Sequence, residues 1–303
     1  PMMAETCLWF IAFSFVLLII AVIGVWKVDK PETFEVLKLS EAGKKREEKQ
    51  KVKLREMLAV LKDNRAMQMH IITGVSDKLA QQTGSQQIIN TLINGVLIGS
   101  YVASQMVNNV SLGVGIVFLF FGGFFIAKWG AKKTTVIWSW LSIAVAVVTI
   151  LFCLFLGGPE GMKKIGVMGV PVIIYTVLTL LKSSASMVLT ATNGARAADV
   201  TDYEYMRSGN YLPAVVSATY SFIDKAVSSL GSLVATGCVA LVGYVNTVPQ
   251  MGDKATWPIF WMGMFLMFGL PILAWILYVI SIKFFILDKN KMVEVQKTLA
   301  EWK

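Results

Sequence analysis

Seven stretches of this chain are long, apolar and nearly free of charge, more than a soluble fold of this size can bury. Leu8–Trp26 runs nineteen residues without an ionisable side chain. The others are about Ala66–Ala103, Val107–Ala127, Thr134–Gly157, Ile165–Ala195, Ala214–Tyr244 and Trp257–Ile282. Each is long enough to cross a hydrocarbon core of ~30 Å as a helix. Hydrophobic residues make up 55% of the chain, whereas a soluble domain rarely exceeds about half. The expected fold class is an all-α membrane protein with seven transmembrane helices. The net charge of +9 is no sign of nucleic-acid binding, because the basic residues concentrate in particular loops.

Those loops set the expected orientation. Of the 28 Lys and Arg, 22 lie in 27–65, 128–133, 196–209 and 283–303. The opposite connections, 104–106, 158–164 and 245–256 with the start of the chain, hold three, Lys163, Lys164 and Lys254. The basic set belongs in the cytoplasm by the positive-inside rule, with the N-terminus of this chain outside and its C-terminus inside. The expected location is a cell inner (plasma) membrane. The opening Pro1-Met2-Met3 has no basic n-region or small-residue cleavage site after it, so it reads as the start of a fragment rather than as a signal peptide.

The 27–65 connection mixes both charge signs, and Leu54, Leu58 and Leu61 recur at helical spacing. It reads as an amphipathic helix on the inner membrane surface, or as a solvated tether. In the tail, Met292, Val295 and Leu299 share one face of a short helix. The expected organisation is a first transmembrane helix in 1–26, a basic linker over 27–65, six helices over 66–282 and a tail over 283–303.

Three polar clusters fall within or beside spans, where ionisable groups are costly and face a bundle interior or water. In "TGVSDKLAQQTGSQQ", Asp77 and Gln81 are spaced i, i+4 and share a face, while Lys78, Gln82 and Gln86 continue the next. Asn90 and Asn94 extend this polar strip, and Gly74 and Gly84 permit a bend. The strip is either a solute pathway or two shorter segments around a solvated break. In "ARAADVTDYEYMRSGNY", Asp199, Asp202, Glu204 and Arg207 mark the inner end of the fifth span. They either pair with basic residues of a neighbouring helix and close a gate, or are solvated loop charges. In "SFIDKAVSSLG", Lys225 lies twelve residues beyond Pro213, ~18 Å into a helix and near the bilayer midplane. Ser221 and Ser228 share its face, and Tyr220 adjoins it. Lys225 serves either a solute or coupling ion, or a structural ion pair. Asp224 is about 100° away from it and has no assigned role.

Other chemistry has no signature here. Cys7, Cys153 and Cys238 are isolated, and His70 has no companion ligands in sequence, so no metal is expected. Walker loops, G-x-S-x-G elbows and H-E-x-x-H motifs are lacking, which gives no expectation of an enzyme. "GGFFIAKWGAKK" reads as close helix packing.

The run "ADVTDYEYMRSGNYLPAVVSATYSFIDKAVSSLGSLVATGCVALVGYVN" resembles the tenth and eleventh helices of the glycoside–pentoside–hexuronide:cation symporters, the melibiose-permease type of the major facilitator superfamily. "LKDNRAM" and "KNKMVEVQKTLAEW" resemble that family too. The resemblance implies helix six plus the C-terminal six-helix half of a two-half transporter, without the N-terminal half. It implies secondary active transport of a sugar or glycoside with Na+ or H+, and no further cofactor. By resemblance, Lys225 and Ser221, with Tyr220 beside them, lie near the sugar and cation sites. Asp199 and Asp202 join a cytoplasmic charge network that closes the inward gate. The coupling cation is bound mainly by the half not present. Thr190 stands where the family's sugar-stacking Trp falls, and no aromatic lies in 184–202. That departure keeps a lysolipid or organic-anion carrier as an alternative. A heptahelical receptor is a more distant one: the last span, Trp257–Ile282, holds no lysine for a retinal Schiff base.

Overall fold

A computed structural model describes residues 14–24, 54–167, 169–209 and 213–302. Among the described residues there are helices and no strand. The chain divides into two compact units, Pro1–Lys53 and Leu54–Lys303. In the first unit, α1 (Ser14–Gly24) falls inside the expected first span. Most of the expected linker, 27–53, lies outside the described residues.

The second unit opens with α2 (Leu54–Asp63), on which Val60 is buried while Leu58 is exposed. Asn64 then caps α3 (Arg65–Gly84), its side chain accepting from the Met67 amide at 3.0 Å. This helix has almost no net hydrophobicity, yet it buries Met67, His70, Ile71, Thr73, Gly74 and Asp77 along one face. It breaks at Ser85–Gln86, where Gln86 is extended. The helix resumes as α4 (Gln87–Asn90) and widens into a π-helix over Thr91–Leu97. The break anticipated at Gly84 is therefore present, whereas Gly74 is a packing position. A turn follows at 98–100, earlier than the expected 104–106, with Gly99 at φ 73°. That conformation is open to glycine and strained for other residues.

Helix α5 (Tyr101–Trp129) turns at Gly130 into α6 (Ala131–Phe155). Two short turns, α7 (Gly158–Gly161) and a 3-10 segment Met162–Gly166, lead to α8 (Val170–Ser208). This helix has 39 residues, ~58 Å of rise against a core of ~30 Å. The span expected to end at Ala195 thus continues for thirteen more residues. The supposed loop 196–209 is helical up to Ser208, because no helix breaker stands between Gly194 and Gly209. Helices α9 (Pro213–Ser228) and α10 (Leu230–Leu241) form one span with a defect at Ser229. The last span is α11 (Trp257–Met264), a π-helical Phe265–Gly269 and α12 (Leu270–Phe284). Asp288 caps the tail helix α13 (Lys289–Glu301), which buries Val295 and Leu299 and half-buries Met292.

Helix α8 is the hub. It packs along α5 and α6, touches α3, and receives α13 on its C-terminal half. Helix α3 packs against α9, α10 and α12. The glycine pair in "GGFF" explains the closeness of α5 and α8. A Cβ on Gly122 would lie 2.8 Å from Ala191 Cβ and 3.4 Å from Val188 Cα, while one on Gly123 would meet nothing within 4 Å. Only the first glycine carries the close approach that the sequence suggests. Gly122→Leu should therefore cost about 1–3 kcal/mol by overpacking. Gly123→Leu should be close to neutral. Thermal unfolding of the detergent-solubilised protein reads the difference, and equal midpoints for the two variants would contradict this packing.

Candidate functional site

The helix ends define two ends of the unit. The end holding Asn64, Gly130, Ser208 and α13 is here called the basic end; the Gly99 turn is at the other. A cavity of about 480 Å³ lies between Asp77, midway along α3, and that second end. Its walls come from α3, the Thr91–Leu97 π-helix, α5, α8 and the Phe265–Gly269 region. Tyr175 and Trp275 add aromatic surface to a lining rich in Asn and Ser. Hydroxyl and amide groups converging beside aromatic surface suit a small hydroxylated solute.

Asp77 and Gln81, paired by spacing in the sequence, meet here: Gln81 Nε2 donates to Asp77 Oδ2 at 2.6 Å. Asn94 donates to Asn90 one turn apart, and both line the cavity. Lys78 is half-buried on the neighbouring face of α3 and does not line it.

Below the cavity, towards the basic end, stands Arg196, fully buried on α8. Sequence reasoning assigned it to a loop; it is a core residue. Its Nη1 donates to Thr135 Oγ1 at 2.6 Å and Thr192 Oγ1 at 3.2 Å, and its Nη2 to Asn193 Oδ1 at 3.1 Å and Thr73 Oγ1 at 3.4 Å. Its guanidinium carbon lies 5.4 Å from the Tyr278 ring centre. Each threonine hydroxyl also donates to a carbonyl of its own helix, at 2.7–2.8 Å for Thr192, Thr135 and Thr73. The hydroxyls' own protons are spent locally, which leaves their lone pairs for the guanidinium. The signal in the sequence was a threonine in each of three spans, Thr73, Thr135 and Thr192, which a positive-inside count does not weigh.

Tyr220 of α9 joins this cluster. It stacks on buried His70 with ring centres 4.8 Å apart and an interplanar angle of 26°, and its hydroxyl accepts from Asn193 Nδ2 at 3.0 Å. A Cβ on Gly74 would fall 2.3 Å from the Tyr220 hydroxyl, so glycine makes room for that ring. Lys225 and Ser221 are exposed on α9 and lie outside the cavity. Thr190 is exposed on α8, its hydroxyl donating to Ser186 O at 3.1 Å. The structure therefore separates the sequence-predicted set. Asp77 and Gln81 share the cavity, Tyr220 packs beneath it, and Lys225, Ser221 and Thr190 occupy open surface.

At the basic end, Glu204 is buried and doubly engaged. It accepts from Asn64 Nδ2 at 2.8 Å and pairs with Arg207 of its own helix at 2.9 Å. Asp202 accepts from Gln296 of α13 at 2.7 Å. Asp199 borders an open groove with Lys289 and Lys297. Among the described residues, none of these three carboxylates has a Lys or Arg of another helix within 4 Å. Amide side chains, Asn64 and Gln296, stand where basic partners of Glu204 and Asp202 were expected, while two lysines at this end cap helices. Lys289 donates to Ala127 O and Lys128 O, and Lys132 to Phe285 O.

The Arg196 node makes a quantitative expectation. Thr135→Val removes its shortest acceptor and leaves a charged N–H unpaired, at a cost of about 1–3 kcal/mol. In an Arg196→Met background the same change should cost much less. A double-mutant cycle by thermal unfolding should give a coupling of at least about 1 kcal/mol; additive losses would refute the node.

A family model described as MFS/sugar transport protein matches residues 3–289. No curated protein and no solved structure matches the chain.

Proposed function

The chain belongs to the MFS/sugar transport family, and from that premise we propose that it carries a sugar or glycoside together with a cation, Na+ or H+, by alternating access. Membership of that family makes it a membrane transporter of the major facilitator superfamily rather than a heptahelical receptor. The finer assignment to the glycoside–pentoside–hexuronide:cation symporters is part of the proposal. The observation that carries it is the cavity at Asp77 and Gln81, set among helices long and apolar enough to cross a membrane.

In this reading the basic end is cytoplasmic, the membrane is the cell's inner (plasma) membrane, and the cavity occupies the outer half of the bilayer. An N-terminal half rocks against this one around a midplane site. The open face carrying Lys225, Ser221 and Thr190 is where that half would approach. Lys225 then serves the shared solute or cation site from α9, while Asp199, Asp202, Glu204 and Arg207 belong to the inner gate. The coupling cation is held mainly by the opposing half. Cation and solute each raise the affinity for the other by stabilising the same state. A second reading, transport of a lysolipid or organic anion, is favoured by Thr190 and the lack of an aromatic over 184–202.

Uptake of labelled glycosides into proteoliposomes, with and without an imposed Na+ or H+ gradient, tests the reading. Gradient-driven accumulation is expected. Lys225→Ala should lower coupled uptake at least about tenfold, the loss of one charge-assisted contact. Wild-type uptake with full cation dependence in that variant would remove Lys225 from the site.

A further inference from the structure

Lys182 of α8 lines the cavity, twelve residues from Val170, ~18 Å along the helix and well inside a core of ~30 Å. Its Nζ donates to Met267 O at 3.0 Å and lies 4.7 Å from the Phe268 ring centre. The reason for the first contact is written in the chain. Met267 O would accept from the amide of residue 271 in an α-helix, but residue 271 is Pro and has no N–H. The helix widens to a π-turn over Phe265–Gly269, and the orphaned carbonyl is taken by Lys182.

That explains a donor but not a charge. A Ser, Asn or Gln would satisfy one carbonyl without placing an ammonium inside the membrane, where charges are expensive and mark function. An ammonium has three N–H donors, and one is used on Met267 O. No carboxylate among the described residues lies within 4 Å of Lys182. Asp77, the carboxylate that shares the cavity, is engaged by Gln81 instead. Among the described residues the ammonium thus has no carboxylate in contact, and it stands in a polar cavity, close to Ser183 and within the same walls as Asn94 and Asn108.

We propose that Lys182 is the anion-recognising group of this cavity and that the solute carries a carboxylate, held by the free N–H donors of its ammonium, on a hydroxylated frame facing the Asn and Ser side chains. The proposal rests on the cavity being the transporter's solute site and narrows that solute from any sugar or glycoside to an acidic one. The Met267 contact holds the ammonium beside the π-turn, and the Phe268 ring stabilises its charge while the site is empty of anion.

Direct binding to the purified full chain in lipid nanodiscs tests it, with three probes: galacturonate, its neutral counterpart galactose, and hexanoate as an acid without hydroxyls. Galacturonate should bind roughly ten- to a hundredfold tighter than galactose, the usual worth of one charge-assisted contact. Lys182→Gln keeps a donor for Met267 O and should erase that preference, while Lys182→Arg should restore most of it. Equal affinity for galacturonate and galactose, or a preference that survives Lys182→Gln, overturns the assignment of Lys182 and leaves the sugar-transport reading standing. Hexanoate binding as tightly as galacturonate, with loss in Lys182→Gln, upholds the anion site and overturns the sugar frame. No binding of any of the three overturns both. The helical circular dichroism and monodispersity of Lys182→Arg serve as the folding control, since it conserves both charge and donors.

Discussion

One guanidinium organises the interior of this protein. Arg196 has no exposed surface, and a charge so placed costs several kcal/mol in desolvation. Four hydrogen bonds to charge-compatible acceptors, each worth roughly 1.5–3 kcal/mol, offset that cost. Those acceptors sit on α3, α6 and α8, and the Tyr278 ring adds α12. A lipid environment offers little hydrophobic drive to bring helices together, so packing and polar contacts must do so. Arg196 fixes where α3 and α8 cross, and that crossing forms the floor beneath the cavity.

The same logic recurs wherever a helix is interrupted. Backbone groups released inside a membrane need partners. Pro271 releases Met267 O, and Lys182 covers it. The start of α3 is covered by Asn64, which also reaches buried Glu204. The ends of α5 and α12 are covered by Lys289 and Lys132. Cations that composition alone would place in solvated loops thus work as caps. Two π-helical segments line the cavity, and Gly263 of α11 approaches Leu97 closely enough that a Cβ would be 3.0 Å from its Cδ1. The irregular backbone sits where the polar volume is needed, as expected of helices that line a pathway.

Some of the site was readable from spacing. Asp77 and Gln81 at i, i+4 had to share a face, and they share a hydrogen bond. Met292, Val295 and Leu299 likewise had to form one stripe, and α13 docks through it. What spacing could not supply was the partner. Arg196 looked like a loop residue because it sits among Ala, Asp and Gly, and a charge count cannot distinguish a buried cation from a solvated one. Lys182 was a single charge in an apolar run, and its role depends on a proline 89 positions later. Lys225 drew attention by depth, but depth along an axis does not say which way a helix is turned.

Hydropathy and the length of the apolar stretches settled that the chain spans a membrane as helices, because a helix satisfies all its backbone groups within such a segment. Helix starts at Pro213 and Trp257-Pro258, and the turn at Gly130, follow from local stereochemistry. The cavity, the Arg196 node and the Lys182 contact depend on pairs far apart in sequence: 123 residues for Arg196 with Thr73, 85 for Lys182 with Met267 and 140 for Asn64 with Glu204. A helical period fixes the face a residue occupies on its own helix. Which face of which other helix it meets is chosen by the mutual packing of all of them, and that choice turned isolated polar residues into a site.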